Sequence, residues 1–215
     1  LLKVLIALGG KDVSEASICQ TLWPDADGDS AHVTFTTTLY RLRKLLGPGD
    51  YLILNEHLLS LNPSMVYLDI WHIEAELDEL IESLSGNHDK ISISNACQFM
   101  LENWTGEFIA QESEAWMLTI RERLRSKWLR LLQEISHALQ ATQEWDKLIE
   151  LYAHALERDP LTENISRSLM EYHIKQNQHS EAVRVYNNCA QNLQHYLNIK
   201  PSPGMTSLYQ SITCE

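Results

Sequence analysis

The amino-acid sequence predicts a mainly α-helical protein in two parts, and three observations carry that prediction. Three short helical segments within the first 46 residues are followed by two β-like runs, Tyr51–Leu54 and Leu58–Leu61. From Asp69 onwards, apolar residues recur at helical spacing almost without a break. Over the last third of the chain the pattern repeats with a period of 34. Three helices and a small β-hairpin make the layout of a winged helix-turn-helix. The 34-residue period is that of tetratricopeptide-like repeats, which place two antiparallel helices in each unit. The expected organisation is a winged helix over 1–69, a linker helix over 70–89 and a helical repeat domain over 90–215.

In the first part, Leu1–Leu8 reads as a helix stopped by Gly9-Gly10. Ser14 is suited to cap a second helix running to Trp23, and Pro24 to Asp29 form a loop. Asp29 or Ser30 is expected to cap the third helix, which ends at Leu46 before Gly47-Pro48. On that helix Phe35, Leu39, Leu42 and Leu46 fall at i, i+4, i+7 and i+11, one buried stripe. The hairpin then turns at Asn55-Glu56-His57, and Met65–Leu68 reads as a further extended piece beside it.

The second part opens with a helix over Ile70–Leu84, its stripe formed by Ile73, Leu77, Leu80, Ile81 and Leu84. A polar break at 85–89 precedes a helix over Ser94–Trp104, and Gly106 opens a loop before a long helix over Glu114–Ala141. Leu148, Tyr152 and Ala155 recur as Ala182, Tyr186 and Cys189, and Ile135 recurs as Leu169. Pro160 punctuates the repeat, and Pro201 to Gly204 precede a closing helix over Met205–Ile212.

Charge narrows the function. The chain carries 17 basic and 29 acidic side chains, a net charge of −12, so its summed field repels phosphate and disfavours non-specific coating of nucleic acid. Any DNA contact must come from a local patch. Residues 1–70 are only mildly acidic, with the five cations Lys3, Lys11, Arg41, Arg43 and Lys44 set against eight carboxylates. An apolar content of 44% argues against disorder, and no apolar run is long enough to span a membrane. Cys19, Cys97, Cys189 and Cys214 form no close pair, which excludes a metal knuckle and fits a reducing cytoplasm. The chain opens on Leu-Leu-Lys without an initiator Met, and the expectation is a piece of a longer protein.

The third helix carries the candidate site. Opposite its apolar stripe lie Val33, Thr37, Tyr40, Arg41 and Lys44, flanked by Thr36 and Arg43. Hydroxyls and cations along an exposed helix face can reach base edges and phosphates in a major groove. The bland alternative is that the cations only complement the helix dipole. Asn55 and His57 at the hairpin tip would then lie near the minor groove. The Asp25-x-Asp27-Gly28-Asp29 loop lacks the carboxylate that calcium needs twelve positions along, where Thr36 stands, so it reads as a polar connection. Nine histidines form no metal-ligand motif, and no Gly-rich phosphate loop is present. No enzymatic activity, cofactor or metal is expected. Arg121, Arg123, Arg125, Lys127 and Arg130 form a second basic run. It reads as a solvated face paired with Glu114, Glu122 and Glu134, or as a docking surface for DNA backbone or an acidic partner.

Several stretches resemble a known family. Residues 1–10 (LLKVLIALGG), 13–15 (VSE), 22–26 (LWPDA) and 40–47 (YRLRKLLG) are similar to the OmpR-type winged helix of the antibiotic-regulatory, SARP-like transcriptional regulators. Residues 59–63 and 66–71 resemble that family's wing exit and linker. The stretches 104–108 (WTGEF), 121–125 (RERLR), 156–161 (LERDPL) and 199–203 (IKPSP) resemble its bacterial transcriptional activator domain, in the same order. The resemblance implies that Thr34, Thr36, Thr37, Tyr40, Arg41, Arg43 and Lys44 occupy recognition-helix positions. It also implies double-stranded promoter DNA as a partner, with the helical half serving oligomerisation, as in a homodimer, or contact with RNA polymerase or an upstream sensor domain. The front half of the helix reads Thr34-Phe35-Thr36-Thr37-Thr38 where the family usually carries Arg or Gln, so fewer base contacts are expected. The rival expectation is a protein-interaction scaffold whose winged helix has lost DNA binding.

Overall fold

The computed structural model describes residues 1–86, 89–111 and 113–213. The chain divides into two compact units, one of residues 1–74 and 108–126, the other of 75–107 and 127–215.

In the first unit α1 (Leu2–Ala7), α2 (Glu15–Leu22) and α3 (Gly28–Leu46) pack over a three-stranded antiparallel sheet of β1 (Val13–Ser14), β2 (Leu52–Asn55) and β3 (Leu58–Leu61). The strand order is β1-β3-β2, with Val13 opposite Leu59 and Leu52 opposite Leu61. Leu5, Ile18, Phe35, Leu39, Leu52, Leu59 and Leu61 form the core between helices and sheet. The α3 stripe behaves as its spacing requires, with Phe35 and Leu39 buried and Leu42 and Leu46 partly buried against the same core.

Two expectations fail here for local reasons. Met65–Leu68 is not a strand, because the amides of Met65 and Val66 close a turn onto the Asn62 carbonyl while Val66 and Leu68 pack on the core. The third strand is Val13–Ser14, next to the Ser14 side chain that caps α2 by accepting from the Ser17 amide at 3.1 Å. The cap of α3 is Asp27 rather than Asp29 or Ser30. Its carboxylate accepts from the Ser30 amide at 2.8 Å, and that bond holds the carboxyl below the usual range. Capping leaves Asp27 engaged with backbone, as the polar-connection reading of the loop requires.

Gly10 is needed where it stands. Its φ is +73°, and an added Cβ would lie 2.8 Å from the Trp71 ring. That ring is fixed by its Nε1, which donates to the Gly9 carbonyl at 3.0 Å, while the Gly10 carbonyl accepts from the Leu61 amide at 2.8 Å.

Residues 69–213 are almost wholly helical: α4 (Asp69–Gly86), α5 (Lys90–Asn103), α6 (Trp116–Thr142), α7 (Trp145–Arg158), α8 (Glu163–Lys175), α9 (His179–Asn192) and α10 (Pro203–Thr213). Helix α5 starts four residues earlier than its apolar pattern suggests, because Asp89 caps it by accepting from the Ile91 and Ser92 amides. Residues 87 and 88 of the expected polar break lie outside the described residues, as does Cys214.

In the second unit the repeat is visible in the helix bounds. Helices α7 and α9 are each 14 residues long and start at Trp145 and His179, one period apart. Leu148, Tyr152, Ala155, Ala182 and Cys189 are buried, and Tyr186 is partly buried. Each repeat tyrosine stacks on a tyrosine of the following helix, Tyr152 on Tyr172 at 5.6 Å and Tyr186 on Tyr209 at 4.2 Å. This is a tetratricopeptide-like helical domain.

Candidate nucleic-acid interface

On the side of α3 away from Phe35 and Leu39 and on its flanks, Val33, Thr34, Thr36, Thr37, Tyr40, Arg41, Arg43 and Lys44 are all exposed. Its polar groups are not equally free. Thr34 and Thr36 donate their hydroxyls to the carbonyls of Ser30 and His32 at 2.8 and 2.9 Å, leaving methyls and lone pairs outward. Thr37 and Tyr40 make no hydrogen bond among the described residues. Arg43 donates through Nη2 to the Leu52 carbonyl at 3.2 Å, tying the end of α3 to β2. Arg41 and Lys44 have no ion pair among the described residues. They lie three residues apart on one helix face, and in an acidic chain they are two cations not neutralised by a neighbour.

Asn55 and His57 sit at the tip of the β2–β3 hairpin, both exposed. The loop between Asn55 and Leu58 is only Glu56 and His57, at φ 46° and 64°. Two positive φ values are the signature of a type I′ turn, which usually needs Asn or Gly. His57 is also tethered. Its Nδ1 donates to Glu15 Oε2 at 3.1 Å, and its carbonyl accepts from the Glu15 amide at 2.8 Å. The other carboxylate oxygen of Glu15 accepts from His32 Nδ1 on α3. Burial pushes the Glu15 carboxyl up, but the bonds and charges of the two imidazoles outweigh it and hold the group below the usual glutamate range. Glu15 and His32 are absent from the residues the sequence nominated. Glu15 lies 17 positions from His32 and 42 from His57, so no local spacing could have revealed the cluster.

The second basic run is bonded at four of its five positions, with different partners from those expected, while Arg130 is exposed and has no ion pair among the described residues. In the first unit Arg123 Nε donates to Glu74 at 2.8 Å, and Arg121 donates to the carbonyls of Phe108 and Ile109. In the second unit Lys127 Nζ donates to Asp78 at 2.7 Å. Of the expected partners, Glu122 lies 3.8 Å from Arg125. The acids of α4, Glu74 and Asp78, take the principal roles, and neither Glu114 nor Glu134 forms an ion pair among the described residues.

The chemistry of nucleophiles is muted. Burial raises the thiols of Cys19, Cys97 and Cys189, that of Cys97 to about 11, so each stays protonated and unreactive at neutral pH. Among the described residues no group of three or more His, Cys, Asp or Glu side chains could hold a metal ion. No helix among them is long and apolar enough to cross a membrane.

Similarities to known proteins agree with a regulatory role. Regulatory protein AfsR of Streptomyces coelicolor is 25% identical over 213 residues, which is 99% of this chain and 21% of that protein. The chain thus spans about a fifth of the curated relative it matches. The structure of Mycobacterium tuberculosis EmbR in complex with low affinity phosphopeptide shares the fold, with a TM-score of 0.64 and 18% identity. That likeness covers 99% of this chain and 57% of the other. The bacterial transcriptional activator domain matches residues 68–213, more than half of the sequence, and the chain belongs to that family of transcriptional regulators.

Proposed function

We propose that residues 1–69 form a winged-helix module that binds double-stranded promoter DNA, with the activator domain coupling that binding to a protein partner. The observation that carries this reading is the pair of exposed, unpaired cations Arg41 and Lys44 on the same face as Thr37 and Tyr40. Arg41, Lys44 and, from its tethered position, Arg43 supply phosphate contacts, while Thr34, Thr36, Thr37 and Tyr40 face the base edges. Asn55 and His57 reach the neighbouring groove from the hairpin tip. Because the threonine hydroxyls of Thr34 and Thr36 already donate to backbone, they offer bases mainly acceptor oxygens and methyls. Affinity then rests on phosphates more than on sequence. The helical domain presents its surface to RNA polymerase, to a sensor domain of the same polypeptide or to a second copy.

Amide chemical-shift mapping of the chain with a mixed-sequence duplex tests this reading. Perturbed signals should cluster at 33–44 and 55–57, and an undisturbed α3 would overturn it. A second reading, a scaffold that has lost DNA binding, is favoured by apolar side chains on or beside the same face. Val33 is 64% exposed, Tyr40 68% and Leu45 84%. It predicts that the α3 signals move on addition of a protein partner and not of DNA.

A further inference from the structure

One buried carboxylate touches both halves of the proposed interface without belonging to either. Glu15, the first residue of α2, is 8% exposed. Its two oxygens accept from the Nδ1 atoms of His32 on α3 and His57 at the hairpin tip, and its amide donates to the His57 carbonyl. The tip needs such a hold. Glu56 and His57 both occupy the left-handed region, which disfavours a residue that carries a side chain. Left alone, this loop would sample other turns, and ordering it on a duplex would then weaken binding. The hold also fixes ring chemistry. A carboxylate only accepts, so each imidazole presents its proton on Nδ1 to Glu15 and keeps Nε2 for other contacts. Both histidine side chains remain well exposed, at 59% for His32 and 79% for His57. Cys19 is a further titratable group near Glu15, and its thiol is held neutral by burial and by that carboxylate.

We propose that Glu15 is a positioning residue for DNA binding: through His57 and His32 it locks the hairpin tip against α3, so that Asn55 and the α3 face meet a duplex in one fixed arrangement. This rests on the reading of residues 1–69 as a DNA-binding module. Glu15 itself need touch no DNA.

The test uses the whole chain and the variants Glu15→Ala, Glu15→Gln and Arg41→Ala/Lys44→Ala, with a fluorescein-labelled mixed-sequence duplex of about 30 base pairs as probe. Without DNA, the ring nitrogen shifts of His57 in the wild type should report the Nδ1–H form. In Glu15→Ala that signature should be lost, and the Glu56 and His57 amide signals should move or broaden. Glu15→Gln keeps the side-chain shape, but its single carbonyl oxygen accepts from only one imidazole, so it carries the test should the alanine variant unfold. With DNA, Glu15→Ala and Glu15→Gln should weaken binding by roughly 5-fold while leaving the salt dependence unchanged, because no phosphate contact is lost. The Arg41→Ala/Lys44→Ala pair should instead flatten the salt dependence. An unchanged His57 tautomer and unmoved tip amides would overturn the positioning role. So would wild-type affinity in both Glu15 variants while the Arg41/Lys44 pair binds weakly. Wild-type affinity in every variant would overturn the α3 interface, and the positioning role with it.

Discussion

Two stretches of this acidic chain are rich in cations, and their environments differ. On α6, Arg123 and Lys127 are bound to Glu74 and Asp78 on α4. On α3, Arg41 and Lys44 are exposed and have no acidic partner among the described residues. Arg123 and Lys127 stabilise packing, whereas Arg41 and Lys44, like the exposed Arg130 further along α6, have no acidic partner among the described residues. Cation density along a sequence therefore does not say which cations are free; whether acids lie across from them decides that.

The comparison depends first on the platform that presents α3. Phe35 is 1% exposed beneath the face that carries Thr37 and Lys44. Phe35→Ala should cost about 3–5 kcal/mol in urea unfolding and abolish the ordered α3 face, whereas no single surface substitution on either basic run should approach that loss. Gly10 comes next. Gly10→Ala places a Cβ against the Trp71 ring at a positive φ, and should cost about 1–3 kcal/mol in the same measurement.

The two basic runs should then separate. Arg123→Ala with Lys127→Ala removes two pairs, one with a half-exposed arginine, and should destabilise the chain by about 1 kcal/mol. Arg41→Ala with Lys44→Ala should change stability by less than about 0.5 kcal/mol. Equal destabilisation by both double variants would erase the distinction.

The smallest effect is in acid. The native state holds the Glu15 carboxyl below its unfolded range, so its stabilising contribution is complete above the ordinary glutamate range. That contribution disappears as pH falls through the folded value. Thermal unfolding of wild type against Glu15→Gln should show the wild-type advantage shrinking as pH falls through and below the ordinary glutamate range, and a constant difference would contradict that role for the carboxylate.

What the sequence made legible follows from how far each interaction reaches. The buried stripe at Phe35 and Leu39 and the matched helices α7 and α9 rest on local period, and they were readable residue by residue. The exposure of Thr37, Tyr40, Arg41 and Lys44 follows from the same wheel. The β1–β3 pairing joins Val13 to Leu59. The acids paired with α6 lie 49 positions before it, and the Glu15 cluster closes over 42. Such contacts leave no periodic trace, because the intervening chain folds independently of them. Arg43 shows the same limit at short range: its position on the helix was readable, but its bond to the Leu52 carbonyl was set by where β2 returns.

The DNA-binding role of α3 is tested most directly by comparing the two basic runs on a duplex. Affinity for a labelled duplex is measured across a salt series for the wild type, for Arg41→Ala/Lys44→Ala and for Arg123→Ala/Lys127→Ala. The α3 double variant should lose roughly 10-fold or more in affinity at low salt and reduce the slope against salt by about 2, while the α6 double variant should bind as the wild type does. Wild-type binding and slope in the α3 double variant, or an equal loss in the α6 variant, would contradict that role.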